Sequence, residues 1–306
     1  MIIISIAKKI ANKFLDIAPI LGIISGICLI AYSGVATFIS DYNQTRVVSE
    51  YEEHIKATSN TEIQQLKTKA TEYNETIARV VGEGDYKNVD AANKELERKS
   101  IFKLGEMEGY ITIPSIDVAL PIYEGTEEGS LYNGVGHMPS TSLPCGGTGT
   151  HCVIAGHSAL STATLFDNLD KVKVNDVFYI KFFDETLKYK VDKIYTNVNP
   201  FDADDYIKIH KGQDFVTLLT CTPKTINTHR LLVRGRRVEL TNEEKEKESD
   251  KTTSNVTNKY VKQQLKKKEA QIRYSIIISS ALGVLFLLIV LILYIKKRRR
   301  GNIEKE

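Results

Sequence analysis

The sequence of 306 residues predicts a mostly-β domain placed between helical and apolar segments. Three features support this fold class. Between positions 107 and 240, short runs rich in β-branched and aromatic residues alternate with turn residues, which is typical of a compact barrel or sandwich. Residues 41–103 are polar and contain no proline. Apolar stretches lie near both ends of the chain, each next to basic residues.

Two apolar segments predict membrane spans. Ile17 to Ile39, within residues 1–40, follows a lysine-rich N-terminus, and Ile276 to Ile295 precedes the basic tail 296–306. Either is long enough to cross about 30 Å of hydrocarbon. A cleaved secretory signal is the alternative for the first segment. Because the basic flanks stay in the cytoplasm, we expect a two-span membrane protein with residues 41–275 outside the cell.

Residues 41–103 contain an amphipathic helix pattern. Its apolar positions recur at alternating intervals of three and four, which is the stripe of one helix face: Ile63, Leu66, Ala70, Tyr73, Ile77 and Val80. Ser59 and Glu62 have the spacing of a capping box, and two glycines end the pattern. We predict a helix that packs on the following domain or spaces it from the membrane, because the pattern is too short for a coiled coil.

Residues 104–240 form the predicted β domain. Its β-rich runs are 110–113, 118–122, 152–155, 177–183, 187–191, 215–219 and 231–233. Asp184 to Thr186 is a predicted hairpin loop, and Ser161 to Leu169 is a predicted helix with Leu165, Phe166 and Leu169 on its buried face. Residues 241–275 are highly charged and predict a solvated stalk, part helix and part disordered. The nearly balanced net charge of +3 gives no indication of a nucleic-acid partner.

A cysteine and an arginine stand at facing positions of a predicted hairpin. The run 215–219 continues to Cys221, Pro223 stops the strand because proline lacks an N–H, and a second run opens behind Arg230. Antiparallel pairing would place Cys221 opposite Arg230. A neighbouring guanidinium favours thiolate over thiol and can stabilise an oxyanion. The alternative is a buried structural cysteine and a surface arginine.

The other cysteines and histidines leave alternatives open. Of four cysteines, Cys28 lies in the first apolar segment, and the three exported ones can form at most one disulfide, so one thiol remains. Spacing does not show which one, and a Cys145–Cys152 disulfide is an open alternative, more plausible than zinc binding by these residues. Zinc binding by Cys145, His151, Cys152 and His157 fits the usual spacings poorly. Of six histidines, His157 is the one at the exit of a buried strand, whereas His137 falls in a glycine-rich stretch.

These motifs resemble the sortases, most closely the class C, pilin-polymerising branch. The resemblance covers about residues 105–240 and rests on seven segments: Gly109–Pro114, Leu120–Gly125, Gly134–His137, Thr141–Pro144, Ala155–His157, Thr217–Pro223 and Asn227–Gly235. It implies a closed eight-stranded β-barrel with a catalytic His157, Cys221 and Arg230, and no cofactor or metal. It also implies cleavage of an LPXTG-like sorting signal between Thr and Gly, with transfer through a thioester to an amine.

The resemblance implies a pilin lysine as the acceptor amine. A housekeeping sortase that uses a peptidoglycan precursor is one alternative, and a non-catalytic membrane-tethered β-domain is another.

Two departures from the family concern the site. Family members often have Gly-His-Arg-Gly where residues 156–159 are Gly-His-Ser-Ala, and the Asp-Pro-aromatic lid has no proline counterpart here. Asp85 and Tyr86 follow two flexible glycines that stand in place of the proline. We therefore expect a linker here and an open or only transiently covered site.

Overall fold

The computed structural model describes residues 2–81, 101–249 and 256–303. The chain divides into two compact units, Met1–Val261 and Lys262–Glu306. The barrel and its docked helices belong to the first unit, and the second continues the C-terminal helix. Within the described ranges, no helix is both long and apolar enough to cross a membrane. The two membrane spans therefore stay predictions from the sequence.

Eight strands close into a barrel in the order β1-β2-β3-β4-β7-β8-β6-β5. Their bounds are β1 Met107–Ile113, β2 Val118–Glu124, β3 Val135–His137, β4 Thr150–Ala155, β5 Val177–Phe182, β6 Glu185–Val198, β7 Asp214–Thr222 and β8 His229–Val238. The predicted closed eight-stranded barrel is confirmed. Two pairs are parallel, β2 with β3 and β4 with β7, and the others are antiparallel. The β5–β6 hairpin turns between Phe182 and Glu185, close to the predicted loop.

The barrel core is built by the alternation of side chains along each strand. On β7, Val216 and Leu218 point into the main buried cluster, and on β8 Leu231 and Val233 do the same. Residues of the opposite parity therefore point outwards. Leu219 and Leu232 are two of these outward residues, and they pack in a second cluster beneath the 3-10 helix Pro200–Tyr206.

Five α-helices accompany the barrel in the described ranges. They are α1 Ile2–Ala57, α2 Asn60–Val81, α3 Glu128–Asn133, α4 Asn242–Ser249 and α5 Val256–Ile303. The Ser59 hydroxyl accepts a hydrogen bond from the Glu62 N–H at 3.3 Å, so α2 begins as predicted. Four residues of its apolar stripe are buried in one cluster with Phe182 and Phe183, which confirms that this helix packs on the barrel: Ile63, Ala70, Tyr73 and Ile77.

Asn74 fixes α2 to the segment between β3 and β4. This buried amide accepts a hydrogen bond from the Leu143 N–H at 2.7 Å and donates to the Leu143 carbonyl at 3.2 Å. It also donates to Cys145 Sγ at 3.0 Å. Because a side-chain amide here replaces a strand partner on both backbone groups of Leu143, the segment is held without a sheet neighbour.

The prediction of a purely solvated stalk after residue 240 is wrong for its first helix and for the start of α5. On α4, Glu244 accepts hydrogen bonds from Tyr179 at 2.7 Å and from Lys188 at 2.9 Å. At the start of α5, Asn258 donates to the buried Glu52 of α1 at 2.9 Å. These charged segments use part of their polar surface to bind the barrel and α1.

The predicted α-helix from Ser161 to Leu169 is also wrong. The segment forms turns followed by the short 3-10 helix Leu169–Lys171. Leu165 has a φ of 39°, outside the right-handed helical region. Its three apolar residues are nevertheless buried as expected. The predicted lid or linker residues, Asp85 and Tyr86, lie outside the described residues.

Candidate active site

Cys221 and Arg230 occupy facing positions near the loop end of the β7–β8 hairpin. They are register partners in the antiparallel ladder, with Thr222 and His229 as the next pair. The predicted pairing is therefore confirmed. Cys221 shares the parity of Leu219, and Arg230 shares that of Leu232, so both side chains belong to the outer face of the barrel. Both residues are partly exposed.

His157 lies on the other side of Cys221. Strand β4 runs parallel to β7, and the last register pair is Ala155 with Leu219. Two residues beyond this pair on both segments, the same register brings His157 beside Cys221. The order β4, β7, β8 thus puts the cysteine on the middle strand, with the histidine on one side and the arginine on the other.

The Arg230 guanidinium is held by backbone oxygens. Its Nη1 donates to the Asn227 carbonyl at 3.2 Å and to the His229 carbonyl at 3.1 Å. Among the described residues, no carboxylate lies within ion-pair distance of it. Arg234, on the same strand, is different because Asp192 binds its Nε at 3.0 Å and its Nη2 at 2.7 Å. Within the described part of the chain, Arg230 is therefore the one of these two arginines that has no carboxylate partner.

The loop after β4 orients His157. The His157 carbonyl accepts a hydrogen bond from the Phe166 N–H at 3.1 Å. The imidazole ring lies 5.7 Å from the Tyr132 ring of α3, centroid to centroid, at an angle of 60°. Gly156 before it has no room for a side chain, since a Cβ would come within 2.6 Å of the Phe166 ring. Both neighbours restrict where the imidazole can lie.

The other two described cysteines are poor nucleophile candidates. Cys152 is buried in the barrel core. Burial raises the pKa of Cys145 to about 12, which keeps it a protonated thiol at neutral pH. Cys145, Cys152 and Cys221 are all free, so the Cys145–Cys152 disulfide that the sequence left open does not form in this structure. Cys221 differs from Cys152 by its partial exposure and from Cys145 by its place opposite Arg230.

The residues weighed as zinc ligands do not converge. The His151 ring bonds to the Lys208 carbonyl through Nδ1 at 2.8 Å and to Thr217 through Nε2 at 2.8 Å. Burial lowers its pKa to about 4. With both ring nitrogens engaged and Cys152 directed into the core, His151 and Cys152 serve the fold. His157 stands apart from them at the outer face.

A buried ionic cluster on β1, β2 and β3 was not predicted. His137 Nδ1 lies 3.0 Å from Glu108 and 3.2 Å from Glu124, and His137 and Glu108 are fully buried. The three donor atoms lie within 4.8 Å of one another, close enough for one metal ion. His137 is on strand β3, not in a loop. Two acidic residues at the ends of β-rich runs were the available signal, but only the register shows that Glu124 meets His137.

Charge coupling sets the protonation of this cluster. Burial raises the pKa of Glu108 to about 8. Burial opposes the charge on His137, but the two glutamates raise its pKa to about 10. Burial alone would raise the pKa of Glu124, whereas hydrogen bonds with Glu108 and His137 lower it to about 2. At neutral pH the cluster therefore holds an imidazolium between one ionised and one neutral carboxyl.

Comparisons with known proteins agree with this architecture. The model of the sortase domain family matches residues 111–238. A sortase C of Streptococcus pneumoniae is 38% identical, with a TM-score of 0.54, and the match covers 64% of this chain and 98% of that one. A sortase C of Clostridium perfringens is 39% identical, with a TM-score of 0.55, over 64% of this chain and 99% of that one.

Curated relatives are more distant. Sortase A of Listeria monocytogenes is 31% identical over 50% of this chain and 62% of its own length. Sortase A of Bacillus anthracis is 27% identical over 48% of this chain, and the match spans 64% of that relative. A closed β-barrel with a cysteine between a histidine and an arginine fits a cysteine transpeptidase. The chain belongs to the sortase family, and its solved neighbours are class C sortases.

Proposed function

We propose that this chain is a transpeptidase that cleaves an LPXTG-like sorting signal between Thr and Gly and joins the Thr carbonyl to a pilin lysine. The observation that carries the proposal is the position of Cys221 between His157 and Arg230 on adjacent strands. Each side chain suits one step. A thiolate attacks a carbonyl, an imidazole moves a proton, and a guanidinium without a carboxylate partner stabilises an oxyanion.

In the first half-reaction, Cys221 Sγ bonds to the threonine carbonyl carbon of the sorting signal. The carbonyl oxygen becomes an oxyanion, which the Arg230 guanidinium stabilises as a permanent cation. The C–N bond to glycine then breaks, and the His157 imidazolium gives its proton to the departing amine. The products are a thioester on Cys221 and a free peptide that begins with glycine.

In the second half-reaction, the incoming lysine enters as the neutral amine, and neutral His157 takes one proton from it. The lysine nitrogen bonds to the thioester carbonyl, the C–S bond breaks, and Cys221 leaves as a thiolate. The resulting isopeptide bond replaces the Thr–Gly bond, so no redox partner or nucleotide is consumed. The site returns to its starting protonation state.

The choice of substrate rests on the relatives. One solved neighbour is described in terms of pilin substrate specificity, and another as sortase C1 of a pilus island. A third was solved with its C-terminal cell wall sorting motif. These neighbours are 38–39% identical to this chain, whereas the curated sortase A relatives are 26–31% identical. The comparison favours a pilin lysine over a peptidoglycan precursor as acceptor.

The test compares two cysteines in the full-length chain. We expect Cys221→Ala to abolish both cleavage of an LPXTG-like peptide and its transfer to a lysine-containing pilin peptide. Cys145→Ala is the matched control, because it removes a half-buried thiol away from Arg230 and should keep both reactions. Mass spectrometry of the wild-type enzyme should find the acyl group on the peptide that contains Cys221. Turnover by Cys221→Ala at the wild-type rate would support the non-catalytic binding domain instead.

We also propose that residues 17–39 and 276–295 anchor the chain in the membrane, with residues 41–275 outside. The support is in the sequence, where each apolar run adjoins basic residues that favour the cytoplasmic side. The test adds a protease to intact cells that carry the chain with a C-terminal tag. Digestion of the barrel with retention of the tag fits two spans. Loss of the tag would contradict them.

A further inference from the structure

The β4–β7 ladder is extended beyond its last backbone pair by two hydroxyl groups. The Gly156 N–H donates to the Leu219 carbonyl at 3.0 Å, which closes the regular part of the ladder. Past this point, Thr220 Oγ1 donates to the Gly156 carbonyl at 2.7 Å. Ser158 Oγ then donates to the Cys221 carbonyl, also at 2.7 Å. One hydroxyl comes from β7 and the other from the segment after β4, and His157 lies between the two bonds in the sequence.

We propose that Ser158 is a positioning residue that sets the distance between His157 and Cys221. The inference rests on the proposed function of these two residues. Ser158 directly follows His157, and its hydroxyl donates to the backbone carbonyl of Cys221. One hydrogen bond therefore connects the histidine segment with the cysteine. Ser158 is 8% exposed, and a buried hydroxyl bond of this length is a fixed part of the structure.

The rest of the histidine loop has its own supports. The Ala159 N–H donates to Asp167 Oδ1, and the Phe166 N–H donates to the His157 carbonyl. Asp41 of α1 accepts from both the N–H and the hydroxyl of Thr164, at 3.0 and 2.7 Å. Loss of the Ser158 hydroxyl would therefore leave the loop folded. What it removes is the bond to the Cys221 carbonyl, while the two hydrogen bonds of Gly156 to β7 remain.

Proton transfer depends steeply on this separation. The two reacting groups must come within about 3 Å, and a misplacement of about 1 Å can cost on the order of 100-fold in rate. The Ser158 hydroxyl is already bound to the Cys221 carbonyl and is mostly buried, so we do not expect it to bind the substrate. Its removal should therefore lower kcat and leave the KM for the sorting peptide nearly unchanged, because the binding surface persists.

The experiment measures peptide cleavage and transfer by the full-length chain carrying Ser158→Ala or Ser158→Thr. We expect Ser158→Ala to lower kcat by about 10- to 100-fold, with KM changed less than about threefold. Ser158→Thr keeps the hydroxyl and should recover most of kcat. Ser161→Ala, an exposed serine of the same loop, is the control and should behave as wild type. Thermal unfolding verifies that each variant is folded.

Three outcomes would overturn the inference. The first is a wild-type kcat for Ser158→Ala. The second is a rise in KM with an unchanged kcat, and the third is a loss of kcat in a folded Ser158→Thr as large as that in Ser158→Ala. Cys221→Ala is measured in parallel. If Cys221→Ala remains active, the proposed function itself fails, whereas an inactive Cys221→Ala beside a fully active Ser158→Ala removes only the role of Ser158.

Discussion

Cys221 and Arg230 are a register pair of the β7–β8 hairpin, and only eight residues separate them in the chain. The hairpin fixes their spacing by local structure, because its ladder must pair residue with residue. Arg234 lies on the same strand but is bound at two nitrogens by Asp192. The position of an arginine along β8 thus decides whether its charge is available to a substrate.

Arg230→Lys should lower kcat/KM by about 100-fold or more. Lysine keeps the charge but not the planar fork, and loss of an oxyanion donor typically costs on the order of 100- to 1,000-fold. The matched control is Arg236→Lys, because Arg236 is more exposed and its contact with Asp192 is longer, at 3.7 Å. Equal losses in the two variants would show that general positive charge is sufficient. Steady-state peptide cleavage measures both.

Asp41→Ala should loosen the histidine loop from α1. It removes the acceptor for the Thr164 N–H and hydroxyl, at a cost of about 1–3 kcal/mol for the unpaired N–H. We expect faster amide hydrogen exchange in residues 157–167, measured by mass spectrometry. Glu50→Ala is the control, since Glu50 is exposed on the same helix and, among the described residues, forms an ion pair with Arg46 alone. Unchanged exchange in Asp41→Ala would mean that α1 does not support the loop.

Asn74→Ala should destabilise the fold by about 3 kcal/mol. The variant leaves the buried N–H and carbonyl of Leu143 without the Asn74 side chain as hydrogen-bond partner. Each unpaired buried group costs about 1–3 kcal/mol. Urea unfolding of the full-length chain in detergent measures the change. Glu75→Ala, on the exposed side of α2, should change stability by less than about 0.5 kcal/mol. A similar small change for Asn74→Ala would refute the role of this amide.

The buried cluster predicts a loss of stability at alkaline pH. The pKa values of Glu108 and His137 are raised to about 8 and about 10. The stability that each residue adds to the folded state is complete below its unfolded-state pKa and is lost as pH rises through the raised pKa. The lowered pKa of Glu124 acts oppositely, and its contribution is lost as pH falls toward 2. We therefore expect Tm to fall from pH 6 to 10.

Glu108→Gln isolates one part of this effect. Glutamine resembles the neutral carboxyl, so the variant should show a shallower decline in Tm between pH 6 and 8 than the wild type. Glu75→Gln, an exposed glutamate, should follow the wild-type curve. Parallel curves for Glu108→Gln and the wild type would mean that Glu108 does not titrate in this range.

Local patterns in the sequence predicted much of the barrel and the Cys221–Arg230 pair. Strands with clear alternation or long β-rich runs were found, and so was the stripe of α2. Strand β3 was missed because three residues, Val135 to His137, carry too little periodicity. It forms through pairing with β2 and β4, which a single segment cannot show.

Long-range contacts account for the other differences. Residues 161–169 have an apolar pattern suited to a helix, but hydrogen bonds to Asp41 and His157 hold the chain in turns. The Glu108–His137 contact and the Ser158–Cys221 bond likewise join residues 29 and 63 positions apart. No propensity or spacing rule encodes such pairs, since they depend on the order of strands around the barrel.

The parallel pairing of β4 with β7 has a consequence for the folding chain. The β7–β8 hairpin needs only a short loop, so Cys221 and Arg230 can meet early in folding. The pairing that brings His157 beside Cys221 must first close a loop of more than 60 residues, which is slower. With the roles proposed for these three residues, an unfinished molecule would hold a thiol next to its arginine without a proton donor for the leaving amine. We therefore expect acyl transfer only after the barrel has closed, which would keep immature chains from reacting with substrates.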